Sequence, residues 1–428
     1  CAAVFCDIKK LGTGKGSEKG RKDDLALIVS DVPAAVAGMF TTNQVCAAPV
    51  KLSRQCAARK FARAIVVNSG NANAATGAQG LRDAEAMTRM AAAAVAARSE
   101  RRAQKQSAVG DRRYKIGASE ILVCSTGRIG VPMPMKNVER GIRACAPRIA
   151  RSTSNARKVA DAIMTTDTRR KEIAVEFKIG SSKVRIGGIC KGAGMIQPGM
   201  ATMLGFITTD AAIESSALKR ALKMAVQQSI NCITVDGDMS TNDSVIALAN
   251  GLAGNQKLVT GHRSLVTFQN ALNFVCLELA KMIVRDGEGT SCVVTLHLRG
   301  ARNDREAEAA ARAIANSSLV RASWCGGDPN WGRILCALGY SKAKIDERLV
   351  DVGYAPTAGR EILFAFRRGR PTNVALKALA KITSQPEFDL HVDLHRGRGE
   401  FVIYAADLTE DYVAFNKGNI NDPATLGG

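Results

Sequence analysis

The stretch with the most evident chemistry is glycine-rich and covers residues 187–211, GGICKGAGMIQPGMATMLGFITTDA. Its glycines and proline argue against an amphipathic helix, and it runs directly into an apolar strand pattern that begins at Thr202. Glycine-rich backbone tolerates strained conformations, and a hydroxyl that follows such backbone can attack the preceding carbonyl. The stretch is therefore a candidate for self-cleavage by an N-to-O acyl shift, and an ordinary glycine-rich turn is the alternative.

A threonine released by such cleavage would carry its own base. An α-amino group has a reference pKa near 8, so part of it is neutral at physiological pH and can deprotonate the hydroxyl. The sequence motifs of other catalytic mechanisms are absent, since there is no phosphate-binding loop and no GxSxG nucleophile elbow. His391 and His395, placed in a strand pattern, would be about 13 Å apart, too far to share a metal ion. We therefore predict no metal site.

The charge of the chain is uneven. Residues 1–201 contain 35 basic and 15 acidic side chains, which leaves 25 basic and 24 acidic ones in residues 202–428 of the totals of 60 and 39. A basic half can indicate nucleic-acid binding, but aromatic residues are only 4% and no zinc-finger, helix-turn-helix or RNP motif is present. An enzyme with a basic surface is favoured, with a basic binding protein as the alternative. The apolar runs are too short to cross a membrane.

The twelve cysteines are scattered, with no CxxC pair. This spacing favours reduced thiols and an intracellular protein.

The order of the predicted elements is that of an α/β protein. Short apolar runs at 26–32, 64–70 and 121–127 predict buried strands, and the alanine-rich segment Gln79–Arg98 predicts a helix. The basic segment 98–115 is interpreted as a solvated insertion loop. Later runs predict a hairpin turning at 180–182, helices near 214–230, 263–284 and 304–316, and strands at SVIALAN, CVVTLHLRG, FDLHVDLH and GEFVIYAADL. We expect two mixed α/β layers with a boundary near residue 200.

The chain resembles the bifunctional ornithine acetyltransferase (glutamate N-acetyltransferase) family of arginine biosynthesis. The resemblance covers nearly the whole length and includes KGAGMIQPGMATML, DLALIVSDVPAAVAGMFTTN, VVNSGNANAATG, STGRIGVPMP, MTTDT, VDGDMSTNDS, DGEGTS, GDPNWGRI and DLTEDYV. It implies self-cleavage between Ala201 and Thr202 into an α chain of residues 1–201 and a β chain of residues 202–428, assembled as α2β2. Thr202 would be acetylated by N2-acetylornithine and deacetylated by glutamate in a ping-pong cycle.

The same resemblance assigns the other site residues. Thr126 and Gly127 match an oxyanion-hole pair. Substrate contacts are implied for Thr165, Lys191, Glu288 and Asn416, besides Thr202 itself. Lys191 is suited to a substrate carboxylate and Glu288 to a substrate ammonium group.

No cofactor is expected, and use of acetyl-CoA as a further donor is left open. The partners implied are the two small-molecule substrates and the sister chains, with no nucleic acid and no membrane. The location would be the cytoplasm in a bacterium, or the mitochondrial matrix or plastid stroma in a eukaryote. The alternative within the same self-cleaving fold is an aminopeptidase or amidase, in which water replaces glutamate.

Overall fold

The structure is a computed structural model that describes residues 1–8, 22–105, 116–197, 203–357, 359 and 361–417, with the backbone alone at 101–105. Ala201 and Thr202 lie outside these ranges, as does most of the basic segment 98–115. In the described part of the chain, no helix has the length and apolar character needed to cross a membrane. All twelve cysteines are described, and none forms a disulfide.

The strands and helices alternate along the chain. The strands are β1 (Ala2–Val4), β2 (Leu25–Phe40), β3 (Phe61–Asn71), β4 (Ile121–Arg128), β5 (Lys171–Ile179), β6 (Ser182–Lys191), β7 (Leu204–Thr209), β8 (Ile233–Thr234), β9 (Ser244–Ala249), β10 (Val293–Ala301), β11 (Asp351–Pro356), β12 (Leu363–Arg367), β13 (Arg370–Pro371), β14 (Glu387–Asp393) and β15 (Gly399–Ala406). The helices are α1 (Ala48–Ala58), α2 (Gly77–Lys105), α3 (Met135–Cys145), α4 (Thr153–Ala162), α5 (Ser215–Gln227), α6 (Leu265–Arg285), α7 (Asp304–Ala315), α8 (Ser318–Cys325), α9 (Trp331–Gly339), α10 (Leu376–Thr383) and α11 (Glu410–Asn416).

The first sheet has the order β4-β3-β2-β9-β7-β6-β5, with β1 beside β2. The long strand β2 pairs through its first half with β3 and through its second half with β9, and its register with β3 shifts between Val29 and Ala34. One half of the sheet consists of β2–β4 and the other of β5–β7 and β9. Leu122 and Ile65 from the first half share a buried cluster with Phe206 and Ile246 from the second. The two halves therefore face each other across an apolar core, which brings the ends of distant strands together.

Helices cover the outer sides of these two halves. Helices α2 and α3 pack on the side of β2–β4, where their alanine, valine and methionine side chains meet the strands. Helices α5 and α6 pack on the side of β5–β7 and β9. The result is a helix–sheet–sheet–helix stack. Both faces of β4 and β9 are buried in it, as their short uninterrupted apolar runs require, whereas β5 keeps one exposed face.

The second sheet has the order β13-β12-β11-β14-β10-β15-β8 and follows the first in sequence, apart from β8. Helices α7, α9 and α10 close its core on one face, around Trp324 and Tyr354. Arg321 of α8 donates hydrogen bonds to the carbonyl oxygens of Val235, Ala406 and Asp407, which fixes the segment after β8 against the end of β15.

The α/β class and the two sheets are confirmed, and each predicted strand and helix named above is present with shifted ends. Two expectations are wrong. Residues 98–105 belong to α2, because arginine, glutamine, glutamate and alanine continue a helix well. The layers do not divide near residue 200, because β7 and β9 complete the first sheet.

Candidate active site

Thr126 and Gly127 lie at the end of β4, which runs parallel to β3 and pairs Thr126 with Ser69 and Gly127 with Gly70. Gly127 has a φ of +130°, and a Cβ at this position would lie 2.3 Å from the carbonyl carbon of Gly70. Only glycine fits this close approach of two backbones. The strand end is thus held in one place, with the Thr126 side chain buried beside it.

Lys191 reaches the same place from the other half of the sheet. It ends β6, is 4% exposed, and pairs in register with Leu204 at the start of β7. Its Nζ lies 3.4 Å from Oγ1 of Thr126, to which it donates a hydrogen bond. A small pocket next to this contact is lined by Thr126, Lys191, Met203, Leu204, Ser240, Asn242 and Asp243.

The loop 236–243 holds the chain on both sides of residues 198–202. Before them, the Asp236 carboxylate accepts hydrogen bonds from the backbone N–H groups of Met195 (2.6 Å) and Ile196 (2.9 Å). After them, Oδ1 of Asp243 accepts a hydrogen bond from the N–H of Met203 at 3.1 Å. One loop therefore fixes both ends of the segment that contains Ala201 and Thr202.

This loop is itself anchored to the Thr126 side of the site. Nδ2 of Asn242 donates to the carbonyl oxygens of Ala72 (2.7 Å) and Ser125 (2.8 Å). Burial raises the pKa of Asp243 well above the usual range of aspartate, and burial also raises that of Asp236. The loop thus joins β4, β7 and β9 through buried polar contacts.

A buried charge network supports the lysine side of the site. Nζ of Lys171 lies 2.7 Å from Oδ1 of Asp167 and 2.5 Å from Oδ2 of Asp286, and all three side chains are almost fully buried. Asp167 also accepts a hydrogen bond from the N–H of Gly192 at 2.7 Å. Asp286 accepts hydrogen bonds from the hydroxyl and the N–H of Thr168. The network ties the turn after α4 to the residue that follows Lys191.

The electrostatics of this network couple it to Lys191. Burial acts to raise the pKa of Asp167, but Lys191, Lys171 and the Gly192 N–H outweigh it and lower the pKa to about 2. Burial lowers the pKa of Lys191, an effect that Asp167 opposes. Asp167 is therefore an anion that stabilises both ammonium groups. Thr165 joins the same turn, since its N–H donates to Oδ2 of Asp167 at 3.0 Å.

Replacing Lys171 by methionine should destabilise the protein strongly, because Asp167 and Asp286 would remain buried without their shared cation. We expect a loss of about 3–5 kcal/mol in the free energy of unfolding, measured by urea denaturation. The matched variant Lys183→Met removes a cation that pairs with Glu176 at the surface, and it should leave the unfolding midpoint unchanged. Equal midpoints for both variants would contradict a stabilising role for the network.

Glu288 and Asn416 contact each other beside the glycine-rich stretch. Nδ2 of Asn416, at the end of α11, donates to Oε2 of Glu288 at 3.0 Å. The Glu288 N–H donates to the carbonyl oxygen of Ala193 at 2.9 Å, and its carboxylate packs against Gly194. Both residues are thereby fixed to the segment that follows Lys191.

The structure thus brings the described residues of the predicted site together around the stretch 191–194, which precedes residues 198–202 in the chain; they are Thr126, Gly127, Thr165, Lys191, Glu288 and Asn416. Ala201 and Thr202 lie outside the described residues, so their own positions are not part of this geometry. Sequence reasoning missed Asp236, Asp243, Asp167, Lys171 and Asp286. A signal was available for the first two, because the loop 236–243 is a dense polar run directly before a buried strand.

Buried ionisable groups gather where strands from both halves of the first sheet end, and similarity to known proteins identifies the chain as an enzyme. The chain belongs to the ArgJ family, whose model matches residues 9–418. As a member of that family it is an arginine biosynthesis enzyme of the N-acyltransferase class.

Individual relatives agree in length as well as in sequence. The arginine biosynthesis bifunctional protein ArgJ of Symbiobacterium thermophilum is 46% identical over 415 residues, which cover 97% of this chain and 95% of that protein. The protein of the same name from Geobacter sulfurreducens is 44% identical over 427 residues, with 97% of both chains covered.

Two solved structures of half the present length also match. The arginine biosynthesis bifunctional protein ArgJ of Bacillus halodurans is 37% identical, covers 49% of this chain and 97% of its own, and gives a TM-score of 0.47. The ornithine acetyltransferase of Mycobacterium tuberculosis, solved with ornithine, is 33% identical, covers 46% of this chain and 89% of its own, and gives a TM-score of 0.37.

Proposed function

We propose that the chain cleaves itself between Ala201 and Thr202 and then transfers the acetyl group of N2-acetylornithine to glutamate. The observation that carries the proposal is the arrangement around residues 198–202. Asp236 and Asp243 hold the backbone on either side of them, and the pocket beside Met203 contains Thr126 and Lys191. Membership of the ArgJ family supports the same reaction class.

In the cleavage step, Oγ1 of Thr202 attacks the carbonyl carbon of Ala201. The C–N bond breaks, an ester forms, and the freed nitrogen becomes the α-amine of Thr202. Water then hydrolyses the ester and leaves a carboxylate on Ala201. Because the chain on either side is hydrogen-bonded to one loop, binding energy from those contacts can hold the peptide in the conformation that attack requires.

In the transfer step, the hydroxyl of Thr202 attacks the acetyl carbonyl of N2-acetylornithine while the α-amine accepts its proton. Ornithine leaves with that proton on its nitrogen, and Thr202 carries the acetyl group as an ester. The amino group of glutamate then attacks the ester, N-acetylglutamate leaves, and Thr202 is regenerated. Donors at Thr126 and Gly127 would stabilise the oxyanion in both halves of the cycle.

Two charged residues would recognise the substrates. The Lys191 ammonium, which donates a hydrogen bond to Thr126, would pair with the carboxylate that N2-acetylornithine and glutamate both carry. Glu288, held by Asn416, would pair with the ammonium group of glutamate and of product ornithine. Thr165 is positioned by Asp167 on the lysine side of the site. No cofactor is needed, and acetyl-CoA would act only as a second acetyl donor.

We further propose that the α and β chains stay associated as α2β2 in an intracellular compartment. Strands β6 and β7 support the association, because they lie on opposite sides of the proposed cleavage point in the chain. They form one continuous antiparallel ladder, in which Ile186 pairs with Thr209 at one end and Lys191 pairs with Leu204 at the other. Cleavage would leave these hydrogen bonds intact.

The proposed reaction is tested by supplying N2-acetylornithine with and without glutamate and measuring N-acetylglutamate and free acetate separately. Transfer predicts N-acetylglutamate as the main product and little acetate when glutamate is present. Acetate as the main product at all glutamate concentrations would identify a hydrolase of the amidase type and overturn the proposal. Supplying acetyl-CoA and glutamate without N2-acetylornithine tests whether acetyl-CoA acts as a second acetyl donor.

Lys191→Met should raise the KM for glutamate about 10- to 100-fold, because a charge-assisted hydrogen bond to the carboxylate is lost. Lys178→Met, on the exposed side of β5, is the matched control and should leave KM unchanged. Unchanged KM in both variants would remove Lys191 from substrate binding.

The pH dependence provides a second readout of Lys191. Since burial lowers its pKa, the ammonium loses its proton at a lower pH than an ordinary lysine does. The KM for glutamate should therefore rise with increasing pH before the usual range of lysine is reached, and Lys191→Arg should shift that rise to higher pH.

A further inference from the structure

Outside the active site, two histidines and an aspartate meet on the second sheet. Strands β10 and β14 run parallel, and their register places His297 directly beside His391. Asp389 lies two residues before His391 on the same strand, so its side chain projects from the same face. The alternate residues Leu296, Leu298, Leu390 and Val392 face the helix-covered core on the other side.

The three side chains converge closely. The two imidazole rings stack at 4.6 Å between centroids with an interplanar angle of 7°. Nε2 of His297 lies 3.4 Å from Oδ2 of Asp389, and one ligand atom from each of the three residues lies within 4.8 Å of the others. In a tetrahedral zinc site the ligand atoms lie about 3.4 Å from one another. Small side-chain rotations would therefore bring these three ligand atoms to coordination distance from one ion.

Polar atoms of the cluster are buried without being satisfied. Nε2 of His297 and Oδ1 of Asp389 have no hydrogen-bond partner among the described residues. A buried polar atom without a partner costs free energy, and a bound cation would recover that cost for both atoms at once. The side chains of His297 and Asp389 are still 22% and 13% exposed, so the cluster lies close to the protein surface.

Imidazole nitrogen with one carboxylate is a ligand set typical of zinc and related transition-metal ions.

We propose that His297, Asp389 and His391 bind one transition-metal dication of the zinc class, with solvent completing the coordination. The ion would link β10 to β14 at a site on the second sheet, apart from Thr126 and Lys191. The prediction of no metal site rests on the separation of His391 from His395. In the structure His395 contacts Asp351, and the histidine beside His391 is His297. The proposal does not depend on the acetyl-transfer reaction.

Titrating the full metal-free protein with Co²⁺ and recording its visible absorption tests the site. We expect one Co²⁺ per chain with the d–d bands of nitrogen and oxygen ligands, displaced by an equivalent of Zn²⁺. His391→Gln and Asp389→Asn should each weaken binding at least tenfold, whereas His262→Gln, at a histidine near α6, should bind like the parent protein. Thermal unfolding in the presence of chelator verifies that the variants are folded.

Three results would overturn the proposal. They are no saturable Co²⁺ binding, equal binding in all the variants, and an intense near-ultraviolet band that marks thiolate ligation by cysteine.

Discussion

The Thr202→Ala variant is expected to remain one uncut chain of 428 residues and to transfer no acetyl group. Without a hydroxyl at residue 202, neither the acyl shift at Ala201 nor the later acetyl ester can form, so one substitution removes both activities. Denaturing gels should show two bands for the parent protein and one for the variant. N-terminal sequencing of one parent band should begin Thr-Met-Leu-Gly.

Two further variants separate the chemistry from structural damage. Thr202→Ser keeps a hydroxyl nucleophile and should still cleave and transfer, at altered rates. Thr208→Ala removes an exposed threonine hydroxyl from the same strand, β7, and should behave like the parent protein. Two bands from Thr202→Ala, cut at the same bond, would contradict the proposed mechanism.

The Gly127→Ala variant should lose about 10²- to 10³-fold in kcat, with a similar slowing of self-cleavage. The added Cβ would meet backbone atoms of Gly70 and Asn71 at 2.3 and 2.5 Å, so the end of β4 must move. That movement displaces the Gly127 N–H and Thr126, the donors proposed for the oxyanion. Loss of one such donor typically costs two to three orders of magnitude in rate.

Gly130→Ala is the matched control for this effect. Gly130 lies two residues beyond β4 and also has a positive φ, of +77°, but a Cβ there would meet nothing within 4 Å. Both variants carry the strain of alanine at positive φ, and only Gly127→Ala adds the clash. Similar kcat values for the two variants would show that the close approach at Gly127 does not serve catalysis.

Much of the fold could be predicted because local patterns determine it. The apolar runs of β2, β3 and β4 are long enough to be recognised, and the alternating hairpin β5–β6 turns at Gly180 as its sequence indicates. The segment 98–105 shows the limit, because high charge suggested a solvated loop while strong helix propensity continued α2.

Site residues can be proposed from the sequence where a motif surrounds the residue, as at Lys191 in CKGAG or Gly127 in STGRIG. Contacts between residues far apart in the sequence could not be predicted. Lys171 and Asp286 are separated by 115 residues, and His297 and His391 meet only because β10 and β14 are neighbours in the second sheet. Periodicity within one element contains no information about which distant element will pack beside it.

The same limit explains the layer boundary. The order of predicted elements favours a layer boundary near residue 200, yet β7 inserts between β6 and β9 and completes the first sheet. The proposed cleavage point lies between β6 and β7 in the chain. Only the three-dimensional arrangement reveals that one loop, 236–243, binds the backbone both at Met195 and Ile196 and at Met203.

The most direct test of the central claim is the mass of the β chain after incubation with N2-acetylornithine in the absence of glutamate. The proposed cycle predicts a β chain heavier by one acetyl group, with the group on the N-terminal peptide at Thr202, and its loss when glutamate is added. A β chain that stays unmodified while N-acetylglutamate is formed at full rate, or an acetyl group on another residue, would contradict transfer through Thr202.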